Sequence, residues 1–541
     1  MRCILNCGLR KFLGSLVPVA LGLGGATGTS GCYSDNCAEV FLCESPPPQP
    51  SPCDGDPATA PALDECGVFV SGHGDDKSPG TRAAPVRTLQ HAIGLASSGR
   101  GDGQEATRRV YACGETFEEA ISLPSGVDLW GGRGCEVGGD WSYGSSFDGP
   151  NHPTTIAPPL GIPLRVIDVE QDATSMIFGV RAVAADASAS DGKSSIAMVL
   201  SPGARAKVVS SEILAGNGKD GEPGDDAPSI RAMDGEEGND GASACTADAS
   251  VGALPVVTVC DDGIESTSGY GGNGGLDVGG DGTQGQPESA ENPDGKGLAG
   301  TGAGTTPCSA GTDGADGASR GRAGGAAGEG YLTIDGWMGV RGEDGKKGGV
   351  GQGGGGGGGS KSRGPMVACP AGRPQRGAAG GSGGSGGCGG KGGWGGGYGG
   401  ASIAIVALED SEIELDATLV VAGNGGKGGV GGTGQLGGMG RPGGVFGRGY
   451  VGTAMWDSCA GGAGGDGGRG GDAGGGLGGA SVGIAYVVPN MAIRPGTTFD
   501  VGQAGEGGPA GNADVNDEVG KGASGPSGQL YRFGATTEPP R

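Results

Sequence analysis

Residues 400–429 read GASIAIVALEDSEIELDATLVVAGNGGKGG. An apolar strand follows Ser402, two shorter alternating stretches come after it, and Gly423 opens a Gly-rich run. The same unit appears as SSIAMVLSPGARAKVVSSEILAGNGKDGEPG from Ser194 and as GASVGIAYVVPNMAIRPGTTFDVGQAGEGG from Gly479. Ser195 precedes Gly216, Ser402 precedes Gly423 and Ser481 precedes Gly502, each by 21 residues. Unrelated strands would not keep that interval. A unit of this length cannot bury its apolar face alone, so the copies are expected to stack, on one another and on units formed by residues 110–215. Alternation from each Ser turns Ile196 and Met198, Ile403 and Ile405, and Val482 and Ile484 toward the interior.

The Gly-rich runs therefore leave the repeating unit at one fixed point. They are also phased internally. Gly occupies 425, 428, 431, 434, 437, 440 and 443, then 462, 465, 468, 471 and 474, and also 342, 345, 348, 351, 354 and 357. Period three is the polyproline II repeat, in which every third residue faces the same way. Three readings stay open: a collagen-like helix, disfavoured because the runs are short and poor in Pro; a bundle of extended segments bonded side by side; and a disordered surface loop. Ordering backbone costs about 1–2 kcal/mol per residue and a net hydrogen bond returns about 0.5–1.5 kcal/mol, so a bundle needs disulfides and the strands to hold it.

Bulk properties restrict the function. The chain has 541 residues, of which 133 are Gly, with 4% aromatic residues and a formal net charge of −25. This is the composition of a repeat protein more than of an ordinary globular enzyme, and the acidity argues against nucleic acid as a partner. Arg2, Arg10 and Lys11, an apolar run from Phe12 and small residues up to Cys32 have the layout of a secretory signal over 1–31. Of the 15 Cys, Cys3 and Cys7 would leave with that signal. With Cys32 set aside the other 12 are an even set, as a disulfide framework in an oxidising compartment requires. Residues 32–63 are Cys- and Pro-rich and read as an extended tether.

Two resemblances rest on these residues. Thr29-Ser30-Gly31-Cys32 resembles a bacterial lipobox, with Thr29 where Leu is usual, which implies lipidation at Cys32 and a membrane anchor. The stretch CGVFVSGHGDDKSPGTRAAPVRTLQHAIGLASSG (66–99) resembles the opening of pectin-lyase-like right-handed parallel β-helix proteins. It has their strand, their G-D-D…P-G-T turn and a helix over T-L-x-x-A-I with Leu89, Ile93 and Ala96 on one face, which in that family caps the open end of the stack. Residues 109–141 continue the likeness. Cys113 and Cys135 lie about one coil of such a fold apart, and equivalent positions on neighbouring coils are roughly 4.8 Å apart, so a disulfide between them is expected. The Gly tracts resemble the polymorphic glycine-rich (PGRS-type) repeats of bacterial surface proteins.

Chemistry-bearing motifs are sparse. Pectin-lyase-like proteins include polysaccharide lyases and hydrolases, which need clustered carboxylates or a carboxylate with a base. Gly72-His73-Gly74 superficially matches a glycosidase signature but falls in the turn before the helix. His91 is placed on that helix and His152 in a turn, which leaves no His for a nucleophile triad in the later repeats. GKDGEPGDD (218–226) and GGDGGRGGD (464–472) raise calcium but lack the apolar residue that repeat-in-toxin loops need after each Asp. No catalytic residue, metal ligand or cofactor is assigned.

The expectation is an all-β protein: a right-handed parallel β-helix with a short capping helix and long Gly-rich loops, polyproline-II-like or disordered. Its parts are the signal (1–31), the tether (32–63), an N-terminal β-helix part (64–215), a Gly-rich insertion (216–398), a coil (399–422), a second insertion (423–477) and a final coil with the C-terminal segment (478–541). The expected role is structural or adhesive at the cell surface or outer membrane, without catalysis, with a lipid anchor and with polysaccharide or other surface proteins as candidate partners; a secreted protein after ordinary signal cleavage is the alternative location. A carbohydrate-active enzyme, or a polysaccharide-binding protein without catalysis, is the alternative.

Overall fold

A computed structural model describes residues 51–534, apart from 102–104, 136–139, 145–151, 170–171, 189–192, 247–250, 289–291, 364–368 and 515. Gly55–Arg541 form one compact unit; nearly all of the other, Met1–Asp54, lies outside the described residues, as do Cys32 and the signal.

The described chain is nearly all β, with three large parallel sheets and one helix. Strands are numbered in chain order. The first sheet contains β1 (Val68–Val70), β2 (Arg109–Cys113), β5 (Asp128–Arg133), β8 (Thr174–Phe178), β11 (Arg205–Val209), β18 (Glu412–Asp416) and β21 (Asn490–Ile493). The second holds β3 (Thr116–Phe117), β6 (Thr154–Ile156), β9 (Val180–Val183), β12 (Glu212–Leu214), β19 (Leu419–Ala422) and β22 (Thr498–Val501). In the third are β4 (Ile121–Pro124), β7 (Leu164–Ile167), β10 (Ser195–Leu200), β17 (Ser402–Ala407), β20 (Ser481–Tyr486) and β23 (Ser527–Arg532). From β2 onward the chain visits first, second and third sheet in unbroken rotation; β13 to β16, two small antiparallel hairpins, lie inside the first Gly-rich insertion.

The repeat is in register. Ser195 pairs with Ser402 and Ser402 with Ser481. Helix α1 (Leu89–Ser98) buries Leu89, Ala92, Ile93 and Ala96 against the strands at the β1 end. Asp76 of the turn accepts from the Arg87 and Thr88 N–H groups at 2.8 and 2.9 Å, and Glu119 accepts from those of Leu89 and Gln90 at 2.7 and 3.1 Å. Two carboxylates thus occupy the helix start, where they also favour the dipole. The stretch counted as tether is partly packed: Ala60 and Ala62 are buried, and the Arg133 guanidinium donates to the Pro57 carbonyl at 2.7 Å.

One expectation about facing is corrected. Met198, Ile405 and Ile484 do enter the interior cluster, but Ile196, Ile403 and Val482 belong to a second cluster with Leu332, Trp337 and Leu477. Ala197 and Met198 both join the interior cluster, as do Ala404 and Ile405, so alternation breaks at the same place in these copies. The outer face of the third sheet is covered by the Gly-rich insertions, which is why β10 and β17 are buried at every residue.

The Gly tracts are bonded to one another throughout. Gly342, Gly345, Gly348, Gly351, Gly354 and Gly357 donate to the carbonyls of Gly396, Gly393, Gly390, Gly387, Gly384 and Gly381 in turn. Gly393, Gly390, Gly387 and Gly384 donate to Gly471, Gly468, Gly465 and Gly462, and those four donate back to carbonyls of the first tract. Three segments close a triangle, one bond every third residue, and further tracts surround it. The disordered-loop reading fails for these residues. Close approach makes the Gly obligatory: a Cβ on Gly468 would overlap the carbonyl oxygen of Ala318. Gly468→Ala is expected to destabilise the protein by about 3 kcal/mol in denaturant titration, whereas Gly321→Ala, where a Cβ meets nothing, should stay within about 0.5 kcal/mol of wild type.

Candidate functional surfaces

The repeat residues build the turn from which the tracts depart. Ser402 Oγ donates to the Gly216 carbonyl at 2.6 Å and Ser481 Oγ to the Gly423 carbonyl at 2.8 Å. Beside them runs a stack of Asx side chains: Asp186 accepts from Asn217 N–H, Asn217 from Asn424 N–H and Asn424 from Gln503 N–H, at 2.7, 2.9 and 2.9 Å. Each layer therefore fixes the exit direction of the next. Cβ atoms on Gly216, Gly423 and Gly502 would collide with this stack.

The same device extends along the tracts. Asp220, Asp226, Asp234 and Asp240 each accept, through Oδ1, the N–H of Lys427, Thr433, Met439 and Val445 respectively, at 2.7–2.9 Å. Asp313 and Asp316, through Oδ1, and Ser319, through Oγ, accept the N–H groups of Ala463, Asp466 and Arg469. Asp466 and Asp472 cap Gly440 and Gly434. Of the Asp residues that raised calcium, Asp220, Asp226, Asp466 and Asp472 thus hold backbone donors. In the tract 459–479, one row of N–H groups bonds residues 340–358, a second bonds 426–444, and of the third Ala463, Asp466 and Arg469 are met by these side chains and Gly475 and Gly478 by Gly520 and Ala523. A contact mechanism built on exposed backbone groups has little to act with there; what faces outward is side chains. Spacing was the available signal, since Asp220, Asp226, Asp313 and Asp316 keep the period of the neighbouring Gly.

One outer row is conspicuous. Lys427, Val430, Thr433, Leu436, Met439, Pro442, Val445 and Arg448 are every third residue, roughly 9 Å apart. Val430, Leu436, Met439 and Val445 are exposed, and Ile230 and Met233 on the adjoining tract are 75% and 60% exposed. Contiguous exposed apolar side chains within a charged rim mark contact surfaces.

A second surface lies on the first sheet. A cleft of about 230 Å³ is lined by Thr174, Arg205, Lys207, Glu412, Glu414 and Asn490, on β8, β11, β18 and β21. Arg205 pairs with Asp172 at 2.7 Å, and Glu414 with Lys207 at 3.2 Å and Arg494 at 3.1 Å. Hydrogen bonds from Arg494 and Lys207 hold the Glu414 carboxyl below its usual range. It therefore stays ionised near neutrality, which suits binding better than proton donation.

The residues singled out in the sequence do not converge on a catalytic centre. Cys113 and Cys135 are joined, with Cα atoms 5.5 Å apart, and link β2 to the segment after β5. Glu115 lies beside the pair, but both sulfurs are committed to the disulfide. Cys245–Cys369, Cys260–Cys388 and Cys308–Cys459 tie the Gly-rich insertions, and Cys53 and Cys66 are also disulfide-bonded. His73, His91 and His152 are all exposed. No helix among the described residues is long and apolar enough to cross a membrane. Comparison with protein-family models, with curated proteins and with solved structures finds no match.

Asp472 offers a test of the caps. It is 4% exposed, accepts from Gly434 N–H at 2.9 Å and takes a two-point bond from Arg469 at 2.9 and 2.7 Å. Burial pushes its carboxyl up, but the Arg469 bonds and the Gly434 N–H outweigh this and hold it below its ordinary 3.8. The stabilisation is therefore present above the ordinary range and is lost as pH falls through the depressed value. Asp472→Ala should cost about 2 kcal/mol at neutral pH. Denaturation as a function of pH should show the gap to wild type closing in acid.

Proposed function

We propose that the protein is a non-catalytic display protein of the bacterial cell surface, in which a lipid-anchored parallel β-helix of the pectin-lyase-like kind carries a rigid Gly-rich bundle that makes the contacts. The rotation of the chain through three parallel sheets, with a helix over the β1 end, supports the β-helix reading. The disulfides support export to an oxidising compartment. The observation that carries the function is the bundle itself. The backbone donors of its interior tracts are consumed internally, and its outward residues stand in evenly spaced rows, a costly construction whose yield is a stiff face.

Rigid presentation contributes to binding by removing the ordering cost that a flexible Gly-rich loop would incur on contact. Repeated identical spacing adds multivalency, in which many weak contacts sum. The anchor at Cys32 would keep the face at the cell boundary. Labelling cells with a radioactive fatty acid should mark wild-type protein and leave Cys32→Ala unlabelled and released to the medium. Equal labelling of the two would overturn the anchor. For the contact role, cells displaying the protein should lose surface attachment when Leu436 and Met439 are both replaced by Ser, with surface abundance unchanged; attachment equal to wild type would count against the bundle face.

The cleft favours a second reading, binding of a hydroxyl-rich polysaccharide across β11, β18 and β21. Its charges are already paired, so it offers a dense set of donors and acceptors without demanding a charged ligand. Calorimetry against neutral and acidic polysaccharides, with Lys207→Ala and Glu414→Gln as controls, tests it. Binding unaffected by either substitution would place the ligand elsewhere.

A further inference from the structure

The outer face of the bundle is complementary to itself. The tracts 218–244 and 424–448 run parallel side by side, with Gly218, Gly221 and Gly224 donating to the carbonyls of Asn424, Lys427 and Val430. The Asp caps fix which residues share a level. Asp220 sits level with Lys427 and Asp240 with Val445, one row-step from Arg448, while Ala232 bonds Leu436 so that Ile230 and Met233 flank Leu436 and Met439. The tract 218–244 thus carries acid along its length, from Asp220 to Asp240, with only Lys219 and Arg231 as bases and with Ile230 and Met233 midway, while its neighbour carries Lys427, Arg441 and Arg448, no acid, and Leu436 and Met439 midway.

From this we infer that the partner of the face is a second copy of the same chain, docked about a two-fold axis parallel to the rows. This rotation keeps every level and exchanges the two tracts. It lays Lys427 of one copy over Asp220 of the other, brings Arg448 over the Asp240 end, and presses Leu436 and Met439 onto Ile230 and Met233, each contact occurring twice. A two-fold axis perpendicular to the rows would instead set acid on acid. The arrangement is closed, so it yields a dimer and not a filament.

The face is large enough. From Lys427 to Arg448 the row runs roughly 65 Å at about 3.1 Å per residue. Two tracts give a strip roughly 10 Å wide, hence roughly 1,300 Å² buried in total, above the roughly 1,000 Å² a specific interface needs. Asp220 and Asp240 use Oδ1 on the neighbouring backbone and both residues are exposed, so Oδ2 can meet a cation from the second copy. The inference rests on the display reading only for its biological sense: it makes the surface contact homophilic, so that copies on apposed cells or within one surface layer would join.

The test is sedimentation equilibrium of the full chain, purified under oxidising conditions, across a range of protein concentrations. A monomer–dimer equilibrium is expected. Ile230→Asp removes an exposed side chain and should weaken the dimer about tenfold or more, equivalent to about 1.4 kcal/mol. Lys427→Glu should weaken it less, and raised salt should weaken the wild type more than Lys427→Glu. Far-ultraviolet circular dichroism and intact disulfides would show both variants folded. A wild-type chain that stays monomeric at every concentration, or a dimer that neither substitution weakens, overturns the inference. A monomer that still carries the lipid label and supports attachment would leave the display reading standing, while a dimer without surface attachment would do the reverse.

Discussion

The structure depends on one geometric requirement: backbone must approach backbone with nothing between. A hydrogen bond every third residue between neighbouring segments brings backbone so close that most donors are Gly, although Ser385, Cys388, Gln435 and Ala473 donate in the same way, and in the interior tracts each segment has neighbours on several sides. At Gly387 the obstacle to a side chain is the Gly438 carbonyl, and at Gly464 it is the Ser385 carbonyl. The Gly content is therefore not slack in the chain. It is the consequence of packing polyproline-like segments as tightly as strands pack in a sheet, in more than one direction at once.

Such packing needs alignment before it returns any free energy. The third sheet supplies it. Strands β10, β17 and β20 bury one face in the interior and the other against Leu332, Trp337 and Leu477 of the insertions, so the floor of the bundle is an apolar interface of ordinary kind. The Ser and Asx stacks at the exit turns then set direction layer by layer. Side-chain oxygens meet much of the outer N–H row, so those donors are fixed within the bundle instead of being left to water. Stability is thus assembled from both architectures, with the strands aligning the tracts and the tracts covering the strands.

How much of this was legible follows from where each signal lies in the chain. The interval from Ser195 to Gly216, and its two copies, is local and periodic, and it pointed to the stacking and to the common point of departure. The capping helix was equally local, with Leu89, Ile93 and Ala96 on one face. The break in alternation at Ala197 and Ala404 was not legible, because a strand buried on both faces has no polar side to expose the slip. The order of the tracts was left undecided for a different reason. Asp220 meets Lys427 across 207 residues and Asp313 meets Ala463 across 150, and a single sequence shows no pairing at such distances. The same Asp residues suggested calcium because a carboxylate in a Gly-rich loop looks alike whether it awaits a cation or a backbone donor.

Disulfides complete the argument for where such a fold can exist. Ordering a Gly costs more than ordering any other residue, and the insertions concentrate that cost. Cys245–Cys369, Cys260–Cys388 and Cys308–Cys459 close loops of 124, 128 and 151 residues. On the chain-entropy model each such closure removes about 4–5 kcal/mol from the unfolded side. The long separations make these bridges effective, since they restrict the denatured chain most where it is most flexible. A bundle that is marginal by hydrogen bonding alone thus becomes stable in an oxidising compartment, so the same residues that report export also explain why the Gly-rich segments can afford to be ordered.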